Sequence, residues 1–411
     1  MKSRLLPVLF ALVVILFTAV GAEVILRLFS QVDPDGQVRI AGRPLLPFQL
    51  PVASTREAID RYRQCESEAY IVRDPELGWS LAANASGHEG LYRTNSAGIR
   101  SLPREYSRRP RPGVFRVALF GDSFTHGDEE PWEKSWAKFL GDELSSVGVR
   151  AEVLNFGVPG YGVGQAFLRW RREGPAWNPS VAVFGFQPEN VNRVVNVFRQ
   201  LYSSSSGMIF SKPRFYLTPE GRLEAANSPV ADLALVPSLL AGLAEPGSPL
   251  GEFEYWFHPH YYRDFPLSGL RLVALFRTLC VQPPGSPGGK LDHRSGPAPL
   301  EPGSEAWAVT KALLREFSRE AEAAGITPVI LHIPDKSSLR AIAAGDSPAY
   351  LELLRELQEE GLRVVDPSPA MAGRHKLYKY AHLSSRGGRL LAAELARALL
   401  ELSGGKGEEG K

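Results

Sequence analysis

Five short apolar runs punctuate the chain: residues 114–120, 151–156, 181–186, 327–333 and 362–365. Each is four to seven residues long and closes on glycine, proline or a polar group, which is how a strand buried on both faces reads. Stretches with helical spacing of apolar positions lie between them, at 131–144, 165–172, 189–201, 304–324, 350–360 and 385–402. Strand and helix alternating five times predicts an α/β domain, 113–403, around a doubly wound, mostly parallel sheet.

The regular pattern is interrupted three times. Residues 31–112 are irregular, with one helix expected at 54–68. An insertion at about 204–303 carries an aromatic cluster (Phe253, Tyr255, Trp256, Phe257, Tyr261, Tyr262, Phe265) and then a proline- and glycine-rich loop at 283–289. The tail 404–411 is glycine and charge, a composition expected to be disordered. At the other end, Lys2 and Arg4 precede an apolar run from Leu5 to Ala22 that continues past Glu23. Residues 1–30 therefore read as a transmembrane anchor with the N-terminus cytoplasmic. A signal peptide cleaved after Val20-Gly21-Ala22 is the competing reading. Either way the remainder is expected outside the cytoplasm, periplasmic or at the cell surface.

Charge and cysteine content narrow the class. Lys plus Arg is 47 against 45 for Asp plus Glu, too even a balance to draw nucleic acid to the chain. The two cysteines, Cys65 and Cys280, exclude a disulfide-dense scaffold; in an oxidising compartment they either pair or remain buried thiols. His258 and His260 are spaced as in some metal sites but have no third ligand nearby, so no metal is expected.

In doubly wound sheets chemistry collects at the carboxyl ends of the strands. Those ends carry Gly121-Asp122-Ser123-Phe124, Asn155 to Gly160, Gln187-Pro188-Glu189-Asn190 and Asp366, with His382-Leu383-Ser384 ahead of the final helix. A serine, exposed backbone N–H groups, an amide and an imidazole are the parts needed for acyl transfer: nucleophile, oxyanion donors and general base. In this order the four segments resemble the blocks of the SGNH/GDSL hydrolase superfamily. An upstream segment, Asn95-Ser96-Ala97-Gly98-Ile99-Arg100, resembles one seen in membrane-anchored bacterial members.

The resemblance implies a three-layer α/β/α, flavodoxin-like fold. It puts Ser123 in the nucleophile's place and His382 in the base's. The oxyanion hole would be the Ser123 N–H, Gly160 and Asn190. Two departures stand out: Val191 follows Asn190 where the third block has aspartate, and Lys379 stands three residues before His382 where the family has its acid. Three outcomes are open: Asp366 supplies the acid, a backbone carbonyl orients a Ser-His dyad, or the protein is weak or inactive. The leading expectation is an exported serine esterase or acyltransferase acting on acyl esters, including O-acetyl groups of a surface polysaccharide, without metal or organic cofactor. The alternative is a catalytically silent domain that binds glycan or scaffolds an envelope assembly. A long-chain lipase or thioesterase would need an apolar channel, for which 231–243 is the candidate stretch.

Overall fold

The computed structural model describes residues 2–102, 104–203, 206–245, 247–281 and 298–404. The loop at 283–289 and all but the first residue of the tail at 404–411 lie outside them. The chain forms two compact units. One comprises Met1–Asp60, Gln200–Ile209 and Asp232–Gly296; the other comprises Arg61–Arg199, Phe210–Ala231 and Pro297–Lys411. The stretch expected as an extension at 31–112 is thus divided between the units, and so is the insertion.

The first unit begins with α1 (Lys2–Phe29). Within it Pro7–Phe29 is long and apolar enough to cross a membrane; at 1.5 Å per residue it spans about 35 Å, against a hydrocarbon core of about 30 Å. Near its end, the Glu23 carboxylate accepts the backbone N–H groups of Arg271 (3.0 Å) and Leu272 (2.8 Å), capping the helix Arg271–Val281. Phe257 and Tyr261 of the aromatic cluster are buried, and Phe48 packs against Tyr261 and Tyr262 with ring centroids 6.0 Å apart. The cluster is therefore local core. Val236, Leu240 and Leu243 are buried in the same way, so the apolar side of 233–243 packs inside this unit. Cys65 and Cys280 are both exposed, which corrects the expectation of buried thiols.

The second unit is the three-layer α/β/α domain. Strands β1 (Phe115–Phe120), β2 (Ala151–Asn155), β3 (Val181–Phe186), β4 (Thr327–His332) and β5 (Val364–Val365) lie in the order β2-β1-β3-β4-β5. Every pairing is parallel. This is the flavodoxin-like order, whose connections reverse direction between β1 and β3. The helices that follow the strands are α2 (Ser123–His126), α3 (Trp136–Ser146), α4 (Val163–Glu173), α5 (Asn190–Val194), α6 (Glu305–Ala323), α7 (Lys336–Ala343), α8 (Tyr350–Glu359) and α9 (Ser385–Gly404).

Alternation along each strand divides the core. Val117, Leu119, Val181, Val183, Val329 and Leu331 meet α3 and α9, with Leu140, Leu144, Leu391 and Leu395 in the same cluster. The intervening positions face α4 and α6: the Phe120 ring meets Trp170 at 5.5 Å, and Phe317 meets both Trp170 (5.4 Å) and Phe184 (5.2 Å). With both faces covered, the strand ends next to the reversal are where loops are free to build a site.

The candidate active site

Ser123 follows β1 directly, at the first position of α2. Asp122 is the N-cap: its Oδ1 accepts the Phe124 N–H at 2.9 Å. That leaves the Ser123 N–H in the first turn without a helical acceptor. The short helix is tied down from β2, where the buried Asn155 donates from Nδ2 to the Thr125 carbonyl (2.8 Å) and accepts the Gly157 N–H at Oδ1 (2.9 Å). A Cβ at Gly157 would come within 2.3 Å of the His126 nitrogen, so only glycine allows the β2 loop this close to the serine's helix.

His382 sits in a tight hairpin ahead of α9. The bridge between Tyr378 and Leu383 and the bonds Lys379 N–H to His382 O (3.1 Å) and Ser384 N–H to Leu377 O (2.8 Å) close it. Its Nε2 is 2.9 Å from Ser123 Oγ, and its ring packs on Phe124 at 4.8 Å between centroids. The other ring nitrogen, Nδ1, is 2.8 Å from Glu129 Oε1. A carboxylate only accepts, so this contact assigns the proton to Nδ1 and leaves Nε2 to accept the serine hydroxyl.

The carboxylate at the imidazole is therefore Glu129, in the place where Asp366 was expected. Asp366 is taken up by His332, with Oδ1 2.7 Å from Nδ1, and by the Ser368 N–H at 2.9 Å. Lys379 is not aimed at the imidazole either: its Nζ donates to the Glu129 backbone carbonyl at 3.1 Å. Glu129 Oε2 also accepts the Tyr380 N–H (3.0 Å), and Oε1 the Ala381 N–H (3.1 Å). The hairpin whose sequence lacks the family's acid thus wraps its own amides around a carboxylate from another loop. Burial pushes the Glu129 carboxyl up, but the bonds from His382 and the two amides outweigh it and hold the group below the usual range.

The loop that presents Glu129 is held from beneath. Glu129 has φ +71°, a left-handed backbone uncommon for a side chain other than glycine, and its N–H donates to Tyr92 Oη at 2.8 Å. Arg100, fully buried, donates to the carbonyls of His126, Gly127 (2.8 Å) and Glu130 (2.6 Å). Its own N–H reaches the Asn155 carbonyl at 3.0 Å. The upstream segment Asn95–Arg100 therefore has a physical task, clamping the Glu129 loop to the end of β2. Inside this loop His126 is fully buried between Asp128 (Nδ1 to Oδ1, 2.5 Å) and Tyr70 Oη (2.8 Å to Nε2). Desolvation and the neighbouring Arg100 push its pKa down to about 4. It is neutral at pH 7 and structural.

The remaining predicted residues surround the serine in looser order. Asn190, the first residue of α5, donates from Nδ2 to Asp122 Oδ2 at 3.1 Å. Asp122 is fully buried, and burial pushes its carboxyl up, offset in part by nearby Arg193 (3.6 Å) and by the Asn190 bond. An amide nitrogen carries two hydrogens, so this bond positions Asn190 and still leaves one donor. Gly160 lies on the β2 loop with φ +83°. Its neighbours are pinned, the Pro159 carbonyl by Trp79 Nε1 (3.0 Å) and the Tyr161 carbonyl by Arg193 Nη1 (2.9 Å). Ser123 and His382 are thus joined directly, Asn190 through Asp122, and Asp366 not at all. Glu129 and Arg100 are the residues that the choice of candidates lacked. The run Asp128-Glu129-Glu130, just past the serine, was the available signal.

No family model matches the sequence, and no curated protein does. Among solved structures the chain is similar to a lipase/acylhydrolase from Enterococcus faecalis (13% identity, 69% of this chain and 94% of that one, TM-score 0.35). It is also similar to a GDSL-like lipase from Bacteroides thetaiotaomicron (10%, 71% and 91%, TM-score 0.32). A catalytic mutant of an acetylxylan esterase from Geobacillus stearothermophilus gives 11%, 69% and 93%, with TM-score 0.35. These likenesses are too distant to say what the chain does; what it presents by its own geometry is a serine, an imidazole and a carboxylate in one hydrogen-bonded line.

Proposed function

We propose that the chain is a serine hydrolase of the SGNH/GDSL type that cleaves or transfers acyl groups held in ester linkage, including O-acetyl groups of a surface polysaccharide. The observation that carries this reading is the unbroken line Ser123 Oγ, His382 Nε2, His382 Nδ1, Glu129 Oε1, with contacts of 2.9 and 2.8 Å. Ser123 Oγ attacks the ester carbonyl and its proton passes to His382 Nε2. Glu129 stabilises the imidazolium that forms and fixes the ring's tautomer. The N–H groups of Ser123 and Gly160 and the second amide hydrogen of Asn190 hold the oxyanion. Collapse of the tetrahedral species expels the alcohol, which takes the proton from Nε2, and the acyl group stays on Ser123. Water, or an acceptor hydroxyl in a transfer reaction, then attacks with His382 again as base. α1 keeps this unit at the outer face of a membrane, with Lys2 and Arg4 on the cytoplasmic side.

Full-length protein in non-ionic detergent should hydrolyse p-nitrophenyl acetate, and Ser123→Ala and His382→Ala should each lower kcat at least a thousandfold. Retention of the wild-type rate in Ser123→Ala would remove the nucleophile and with it the proposal.

A further inference from the structure

Beside the catalytic hairpin the second unit carries a cleft of about 560 Å³ that the reaction just described does not use. One wall is α7, from which Lys336 and Arg340 project one helical turn apart on the same face. The other is the segment 373–378, which adds Arg374, His375 and Lys376. Leu339 and Leu377, both buried, form the floor. Among the described residues no carboxylate lines the cleft. Among the described residues Lys336, Arg340, Arg374 and Lys376 form no ion pair; Arg374 donates from Nε to the Ala370 carbonyl, a neutral acceptor. Four like charges gathered in a concavity repel one another and focus a positive field there. Elsewhere on this unit several arginines are balanced by glutamates, as in Arg355 with Glu352 and Glu359 or Arg315 with Glu360. An anion is what this cleft lacks.

Its position ties that anion to the reaction. Leu377 and Tyr378 line the cleft and also pair with Ser384 and Leu383, closing the hairpin that holds His382. Tyr378 is anchored by donating its hydroxyl to the Pro334 carbonyl, just ahead of α7. Cleft wall and general base are thus one small rigid piece.

We infer that the cleft is a subsite for the carboxylate or phosphate groups of an anionic polysaccharide whose ester is cleaved at Ser123. This inference rests on the esterase reading. A concave site on the base's own hairpin suits a chain that threads past the serine better than a planar lipid surface.

The test uses full-length protein in non-ionic detergent and the double variant Lys336→Glu, Arg340→Glu, which alters two exposed side chains outside the catalytic line. Fluorescein-labelled polygalacturonate should bind the wild type, bind the variant at least tenfold more weakly, and be released as salt rises from 50 to 300 mM. Acetylated polygalacturonate should lose at least tenfold in kcat/KM in the variant, while acetylated dextran and p-nitrophenyl acetate stay within twofold. Equal affinity of both proteins for polygalacturonate would overturn the inference. So would a loss on acetylated dextran as large as that on the acidic polymer, or a variant that loses only its binding to phosphatidylglycerol vesicles. If neither protein hydrolyses any ester, the esterase reading fails, and the polygalacturonate affinities still decide whether the cleft takes a polyanion.

Discussion

Replacing Glu129 by glutamine separates this account from the one the sequence suggests. The carboxylate accepts three N–H groups: His382 Nδ1 and Ala381 on Oε1, and Tyr380 on Oε2. Glutamine has one acceptor oxygen. If that oxygen serves His382 and Ala381, the amide nitrogen points its hydrogens at the Tyr380 N–H. Turned the other way, it donates to His382 Nδ1 and forces the tautomer that protonates Nε2, so the imidazole no longer accepts from Ser123. Either rotamer also removes the charge that stabilises the imidazolium. Unit charges about 4 Å apart attract by about 4 kcal/mol at an effective dielectric of about 20. At about 1.36 kcal/mol per decade that is about a thousandfold in rate; tautomer loss in a serine protease costs about ten thousandfold. Glu129→Gln should therefore lower kcat for p-nitrophenyl acetate by about 10³ to 10⁴, with KM little changed, whereas Asp366→Asn, which disturbs His332 and the Ser368 N–H, should stay within about threefold. Glu129→Gln at wild-type rate, or Asp366→Asn with the larger loss, would refute the assignment.

Other consequences are as direct. Arg100→Leu leaves the buried His126 and Glu130 carbonyls and the half-buried Gly127 carbonyl without this donor, so urea unfolding should show about 3 to 5 kcal/mol lost and kcat should fall as the Glu129 loop loosens. Lys379→Ala removes an exposed bond to a backbone carbonyl and should change kcat by less than about threefold; a large loss would give the lysine a part in proton transfer. Gly157→Ala drives a methyl into the backbone at Thr125 and His126, an overpacking cost on the order of 2 to 3 kcal/mol that melting should reveal. The fourth consequence is a pH dependence. His126 titrates near 4 in the native state and near 6.5 when unfolded, so between those values the unfolded chain binds the extra proton and stability falls as pH falls. Urea midpoints should drop from pH 7 to pH 5 in the wild type. In His126→Gln they should start lower and change less.

Much of the α/β unit was legible because its strands are short, apolar and bounded. The runs expected at 151–156, 181–186 and 327–333 are strands at Ala151–Asn155, Val181–Phe186 and Thr327–His332. The helix expected at 189–201 breaks instead into Asn190–Val194 and Arg199–Tyr202. The helix α7 went unread because Lys336 to Ala343 is short and alternates charge with small residues. Irregular backbone hid more: the pairs Ile71–Asp74 with Gly78–Leu81 and Ser86–Gly87 with Tyr92–Arg93 are too brief to show a period. Glu129 was hidden for a different reason. Serine and histidine sit at strand and helix boundaries that the pattern marks, but Glu129 is on a loop whose shape depends on Arg100 and Tyr92 reaching in from elsewhere. Spacing from His382 pointed to position 379, where the chain has lysine, and then to the nearest strand end, Asp366. A carboxylate delivered from another loop leaves no periodic trace.

The central claim is that Ser123 is a nucleophile activated through His382. A fluorophosphonate probe followed by peptide mass spectrometry tests it without knowledge of the natural ester. The account predicts one adduct, on Ser123, formed at least a hundredfold more slowly in His382→Ala and absent in Ser123→Ala. An adduct on another residue, or equally fast labelling without the histidine, would contradict it.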